Sequence, residues 1–198
     1  MWNEPKIDVR IPHESGGRLG EDLNRILHDT RRDWVWIIDG DVLWELNQNA
    51  YRIGQEAIRQ QPDAGMFTNY CNRMGCKEQM IDRRPVRSTD IAKHWDIATQ
   101  RFKSHGFTVT QWLDWGQPPG GFSMLINVKA AHDVGGFPGE GQFEEDQKFA
   151  RRLRESGYGV YRMEGLYMYH FRRRHGGTLI PDDKTAVELW AEYKAAKT

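Results

Sequence analysis

The sequence is short of cysteine, of long apolar runs and of net charge, and each shortage removes a class of protein. Only 2 cysteines occur in 198 residues, Cys71 and Cys76 in the stretch CNRMGC. A small domain stapled by disulfides needs several pairs, and a zinc site would need a second Cys pair or a nearby His, which does not come before His94. Reduced, structural or incidental thiols are the reading. No stretch approaches the roughly 18 to 20 apolar residues of a membrane span, and the opening MWNEPKIDVR has no apolar run of signal-peptide length. The expectation is a cytoplasmic protein. Lys plus Arg and Asp plus Glu both number 28, so no global field recruits nucleic acid or anionic lipid.

What the chain does have is bulk for a core. Hydrophobic residues make up 38%, with 8 Trp, 8 Phe and 7 Tyr among them, which excludes a disordered composition. Its length suits one hydrophobic core, so a single domain over 1–198 is expected. The apolar pattern alternates in kind along the chain. Residues 6–11 (KIDVRI) read as a strand, 17–32 as a helix on Leu19, Leu23, Ile26 and Leu27, and 34–38 as a second strand. A helix over 47–61 stopped by Pro62, a strand over 64–70, a polar stretch over 71–95 and a helix over 93–106 follow. Beyond the loop 111–121 come a strand over 122–128, a short helix at KAAHDV, a glycine turn, and a helix over about 144–156 ended by Gly157. Strands at 158–162 and 166–171 and an amphipathic C-terminal helix over about 183–196 complete the reading. Strands alternating with helices predict an α/β fold with a mixed, mainly parallel sheet flanked by helices.

One stretch carries chemistry. DWVWIIDGDVLW (33–44) drives an apolar strand into two aspartates, Asp39 and Asp41, separated by Gly40. In open α/β sheets ligands gather beyond the carboxyl ends of the strands, where these acids fall. Two carboxylates held close repel, and a hard divalent cation relieves the repulsion while keeping coordination sites for phosphate oxygens and water. Mg2+ or Mn2+ fits that role better than zinc. A turn in which both acids merely hydrogen-bond the backbone is the bland alternative.

Three further blocks stand around this one. Asn24 lies fifteen residues before Asp39 on the helix GRLGEDLNRIL, GGFSMLINVKAAHDVGGFPGE fills 120–140, and FEEDQKFARRLRESGYGVYRMEGLYMYH fills 143–170. Together with DWVWIIDGD, their order resembles that of nucleotide-sugar glycosyltransferases with the GT-A fold, in particular the broad family-two group. The resemblance runs over 17–45 and 120–171. It implies a Rossmann-like GT-A sheet, shortened because the family's usual first strand-helix unit has no counterpart before the helix carrying Asn24.

The resemblance also implies roles. Asp39 and Asp41 would hold the metal and, through it, the diphosphate of a nucleotide-diphosphate sugar, with a UDP-sugar the first expectation. Asn24 belongs to the donor side. His170, closing the strand LYMYH, matches a third metal ligand, and an imidazole beside carboxylates suits Mn2+. Asp146 matches the general base of an inverting hexosyl transfer to an acceptor hydroxyl, with Glu145 in reserve. From the residues themselves, Arg172 and Arg174 in FRRRHGG offer forks for diphosphate oxygens, and Trp112, Asp114 and Trp115 offer a sugar face and its hydroxyls. With the first unit missing, the base site is expected to be rebuilt from the N-terminal segment or completed by a second copy or partner subunit. The alternatives are a noncatalytic carbohydrate-binding or assembly module on the same fold, and a metal-dependent phosphoryl- or nucleotidyl-transfer enzyme.

Overall fold

A computed structural model describes residues 4–12, 19–44, 46, 48–139, 144–171, 174–175 and 178–179. The expected C-terminal helix over 183–196 and Arg172 lie outside these residues. In chain order the elements are β1 (Ile7–Arg10), α1 (Leu19–Asp29), β2 (Trp34–Ile38), β3 (Val42–Leu43), α2 (Ala50–Gln60), β4 (Ala64–Cys71), α3 (Ile91–His105), β5 (Val109–Gln111), β6 (Ser123–Asn127), α4 (Val128–Asp133), α5 (Glu145–Glu155), β7 (Gly159–His170), β8 (Arg174–His175) and β9 (Thr178–Leu179).

The first seven strands form one sheet in the order β1-β2-β6-β4-β7-β3, with β5 also beside β7, while β8 and β9 pair separately. Helices cover both faces. Residues on a strand alternate between faces, and β2 divides accordingly. Val35 and Ile37 enter one apolar cluster with Leu23 and Leu27 of α1, Ala130 of α4, and Phe149 and Leu153 of α5. Trp34, Trp36 and Ile38 enter the other with Ile53 and Ala57 of α2. A strand covered on both faces and paired on both edges must be apolar throughout, which is why WVWII reads as an unbroken run.

The sheet is mixed, as expected, but not mainly parallel: among the described residues β1–β2 and β4–β7 pair parallel, whereas β2–β6, β4–β6, β3–β7 and β5–β7 pair antiparallel. Strands β1, β2, β4 and β7 share one direction, and β3, β5 and β6 run against them. The unforeseen feature is the reversed β6 between β2 and β4. The loop after β5 carries the chain to the carboxyl edge before β6 starts, so β6 can only run downward from there. Its first residue pairs with the last of β2, Ser123 opposite Ile38. Gly120, Gly121 and Phe122 are thereby delivered to the edge where Asp39 and Asp41 emerge.

The strand boundaries near the C-terminal end of the sheet also differ from expectation. The strands at 158–162 and 166–171 are a single strand, β7, whose parallel ladder with β4 continues across a register shift between Thr68 and Tyr70. The Met163-Glu164-Gly165 interruption is not a turn. Glu164 is buried and accepts hydrogen bonds from Tyr70, Arg101 and Arg162 at 3.0, 3.0 and 2.9 Å. Gly165 allows the end of α3 to lie directly on β7: a Cβ there would fall 1.9 Å from the carbonyl oxygen of Gly106. Gly106 caps α3 at φ 53, so that backbone has little freedom to yield. Gly165→Ala is therefore expected to cost about 3 kcal/mol or more, at the upper end of overpacking effects, as read from the urea midpoint.

Candidate functional site

The site is built where β2 ends. Pairing shows what the Asp39-Gly40-Asp41 link does: β2 lies between β1 and β6, whereas β3, which follows the link, pairs with the far end of β7, Val42 opposite His170 and Leu43 opposite Tyr169. The link therefore crosses the carboxyl edge of the sheet. Backbone hydrogen bonds hold it at each end. The Asp39 amide donates to the Phe122 carbonyl at 3.0 Å, the Val42 amide to the Asp39 carbonyl at 3.1 Å, and the Phe171 amide to the Asp41 carbonyl at 2.9 Å.

His170 meets the link from below. Its backbone amide donates to Asn72 Oδ1 at 2.7 Å, and its ring stacks on Phe122 with centroids 5.7 Å apart. Its Nε2 lies 3.1 Å from Asp41 Oδ1 and 4.0 Å from Asp39 Oδ2. The imidazole is 6% exposed and the two aspartates 39% and 44%, so the group is walled by protein on the histidine side and open to solvent on the acid side. One ligand atom from each of Asp39, Asp41 and His170 falls within 4.8 Å of the others, and among the described residues this is the group that could hold a metal ion. The donor set fits a hard divalent cation: two carboxylate oxygens whose repulsion the ion relieves, and one nitrogen that Mn2+ accepts. The Nδ1 atom of His170 is buried and has no hydrogen-bond partner among the described residues.

Asn72 fixes this histidine and was not among the residues singled out from the sequence. It is 6% exposed and directly follows β4. Asn72→Ala leaves the buried His170 amide without its acceptor, and is expected to weaken divalent-cation binding about ten-fold while far-UV circular dichroism stays unchanged. A manganese titration monitored by melting temperature checks it.

Asp146 meets the site at Gly120-Gly121-Phe122, the hinge between the loop after β5 and β6. It sits in the first turn of α5, preceded by Glu144 in the left-handed region at φ 67. Its Oδ1 accepts from the Gln147 amide at 2.9 Å. The backbone of Gly121 lies directly on it: a Cβ at that glycine would fall 2.6 Å from Asp146 Cβ and 3.0 Å from Oδ2. Loss of solvent pushes the Asp146 carboxyl above the ordinary carboxylate range, against backbone amides of Gln147 and Gly121 that favour its charged form. Gly121 thus touches Asp146 and the next residue, Phe122, touches both Asp39 and His170. Gln79 clamps this hinge, accepting from the Gly120 amide at 2.6 Å and donating to the Gly120 carbonyl at 3.1 Å.

The other expected site residues lie elsewhere. Glu145 is 1% exposed, accepts from the Gly139 amide at 2.7 Å and abuts Gly20 at the start of α1, so it ties two segments together on that side. Asn24 spends both halves of its amide on Phe137, donating to its carbonyl at 2.9 Å and accepting from its amide at 2.8 Å. It is the pin of the Gly135-Gly136-Phe137 turn. Trp112 is 4% exposed in the core and donates its indole N–H to the Asp114 carbonyl at 2.9 Å, so it offers no free face. Trp115 packs on the same core with the Arg154 guanidinium 4.7 Å above its ring. Asp114 is exposed and caps its own turn by accepting from the Gly116 amide at 3.1 Å. Apolar loop residues pack under the loop when a core is near enough, and here it is. Arg174 begins the β8–β9 hairpin shortly after His170.

Among solved structures, the chain is similar in fold to a glycosyltransferase. This is the mannosyltransferase PcManGT from Pyrobaculum calidifontis, solved in complex with GDP-Man and Mn2+, at 15% identity and a TM-score of 0.48. The likeness covers 79% of this chain, and the chain spans 37% of that mannosyltransferase. No family model and no curated protein matches the sequence. Among the described residues no helix is long and apolar enough to cross a membrane.

Proposed function

We propose that the protein is a metal-dependent glycosyltransferase that moves a sugar from a nucleotide-diphosphate sugar to an acceptor hydroxyl with inversion. The observation that supports it best is the meeting of Asp39, Asp41 and His170 at the carboxyl edge, with Asp146 joined to them through Gly121 and Phe122. Asp39, Asp41 and His170 would hold Mn2+ or Mg2+, which when bound neutralises diphosphate charge on the departing nucleotide. Arg172 and Arg174, following directly in the sequence, are proposed as additional diphosphate contacts.

Asp146 takes the proton of the acceptor hydroxyl. As that oxygen forms its bond to the anomeric carbon, the bond from this carbon to the diphosphate oxygen breaks, and the nucleoside diphosphate leaves with the electron pair. A carboxyl with a raised pKa is a stronger base than an ordinary one, provided the pH keeps it ionised. Asn24 and Glu145 act at a distance in this reading, holding the turn before α5 and the start of α5.

The test is a thermal-shift screen of UDP- and GDP-sugars with and without Mn2+, because a ligand of the native state raises its melting temperature. A rise that requires both sugar nucleotide and metal, with a UDP-sugar giving the largest, is expected, along with release of nucleoside diphosphate. Absence of any metal-dependent rise and of any release overturns the reading. Glycan binding that ignores metal, without turnover, would mark a noncatalytic module instead.

A further inference from the structure

Directly beyond the metal group lies an open groove of about 520 Å³, lined by Val42, Leu43, Trp44, Leu46, Gln48 and Trp95. Nothing in the sequence pattern pointed to it. It is continuous with the site: Val42 follows Asp41 in the chain and pairs with His170, and Leu43 pairs with Tyr169. Its walls are set firmly. Trp44 meets Trp36 of the core edge-on at 5.9 Å. Trp95 stands on α3 beside His94, which is fully buried, stacks on Tyr169 at 3.9 Å, and bonds the Tyr167 hydroxyl and the Ser88 carbonyl at 2.7 Å each. One residue along from that anchor, Trp95 is 55% exposed and lines the groove.

We propose that this groove binds a hexopyranosyl ring of a glycan acceptor, stacked on Trp95 with the Gln48 amide on its hydroxyls. The acceptor role rests on the glycosyltransferase reading, whereas the binding of a sugar ring does not. The lining fits that occupant. Flat indole faces match the apolar C–H face of a pyranose, and one amide serves hydroxyls. Among the described residues that line the groove none is charged, and indole and aliphatic surface predominates. Its open form on the sheet's edge strand suits one ring of a longer glycan better than an enclosed nucleobase. The acceptor tryptophans are therefore Trp44 and Trp95, in place of Trp112 and Trp115.

The experiment is calorimetric titration of the full chain with gluco-, manno- and galacto-tetraoses, in wild type and in Trp95→Ala, Trp95→Phe and Trp95→Leu. At least one tetraose is expected to bind without metal, Trp95→Ala and Trp95→Leu to lose about ten-fold or more in affinity, and Trp95→Phe to keep most of it, because stacking needs a flat ring rather than apolar area alone. Under the same reading, the acceptor KM rises in Trp95→Ala more than kcat falls, while the metal-dependent thermal shift with sugar nucleotide reports donor binding separately. The proposal is overturned if no tetraose binds, if Trp95→Leu binds as wild type does, or if UDP alone or farnesyl phosphate displaces the tetraose. Loss of tetraose binding in Trp95→Ala with no metal-dependent donor shift in wild type would remove the enzyme reading and leave the groove standing. A donor shift with no tetraose binding would do the reverse.

Discussion

Asp41→Ala is expected to abolish the manganese-dependent rise in melting temperature and to lower glycosyl transfer by more than about a hundred-fold, since even outer-shell partners of metal ligands cost ten- to a hundred-fold. Asp41 is the acid nearest the imidazole, at 3.1 Å from His170 Nε2. Its removal leaves one carboxylate and one nitrogen, too few anionic donors to hold a hydrated divalent ion against water. The metal-free variant should melt close to wild type. The backbone bonds of the link are made by carbonyls and amides that alanine retains, the side chain is 44% exposed, and losing one of two close acids relieves their repulsion. Thermal shifts with and without Mn2+ and an initial-rate assay read both halves of this result. A metal-free variant that is unfolded would assign Asp41 to structure, and a variant with full activity would remove the metal group from the mechanism.

Asp146→Asn should separate binding from turnover. Asparagine keeps the size of the side chain and an oxygen for the Gln147 amide, so the sugar-nucleotide thermal shift is expected to survive. On the proposed mechanism the proton acceptor is lost, and transfer should fall by about 10²- to 10⁴-fold, the usual worth of general base catalysis. The wild-type rate should rise with pH through a pKa above the ordinary aspartate range, because the base acts only when ionised and desolvation makes ionisation harder. Folding stability responds with the opposite sign. A carboxyl whose folded pKa is raised binds its proton more tightly in the native state, so it adds stability that is fully present below the unfolded pKa of about 3.9 and is lost as pH rises through the folded value. Wild type should therefore lose stability relative to Asp146→Asn over that interval. Paired urea titrations at several pH values check it. A wild-type-minus-variant difference that stays flat would mean that the carboxyl is solvated after all.

Much of this site could be read in the sequence because its signals are local. A strand buried on both faces has to be an apolar run, and acids that end such a run have to lie at the sheet's edge, so WVWII followed by Asp39 and Asp41 announced itself. His170, and Asp146 in its proposed role, were singled out only through resemblance, because one acid in a helix start and one histidine at a strand end are ordinary features. Asn72, Gln79 and Phe122 carried no local signal at all. Each acts on a residue far away in the chain, Asn72 on His170, Gln79 on Gly120, and Phe122 on both His170 and Asp39, through contacts that exist only once the strands are ordered. Trp112 misled for a related reason: a loop tryptophan looks the same in sequence whether its face meets solvent or core. The short strands β3 and β5 fall below the length at which alternation can be recognised, and without β3 the groove beside it could not be foreseen.

The crossing of the Asp39-Gly40-Asp41 link from β2 to the end of β7 gives a bound ion a mechanical meaning. Asp39 and Asp41 come from an early part of the chain and His170 from a late one, so an ion gripped by all three closes a loop around most of the polypeptide. In the unfolded chain that closure would carry a conformational entropy penalty growing slowly with loop length. In the native sheet the ends are already together, and the ion's binding free energy is felt as folding free energy. With an ion bound, the two halves of the molecule would be joined at the rim by coordination as well as by the interior, and the cation would act as a removable cross-link.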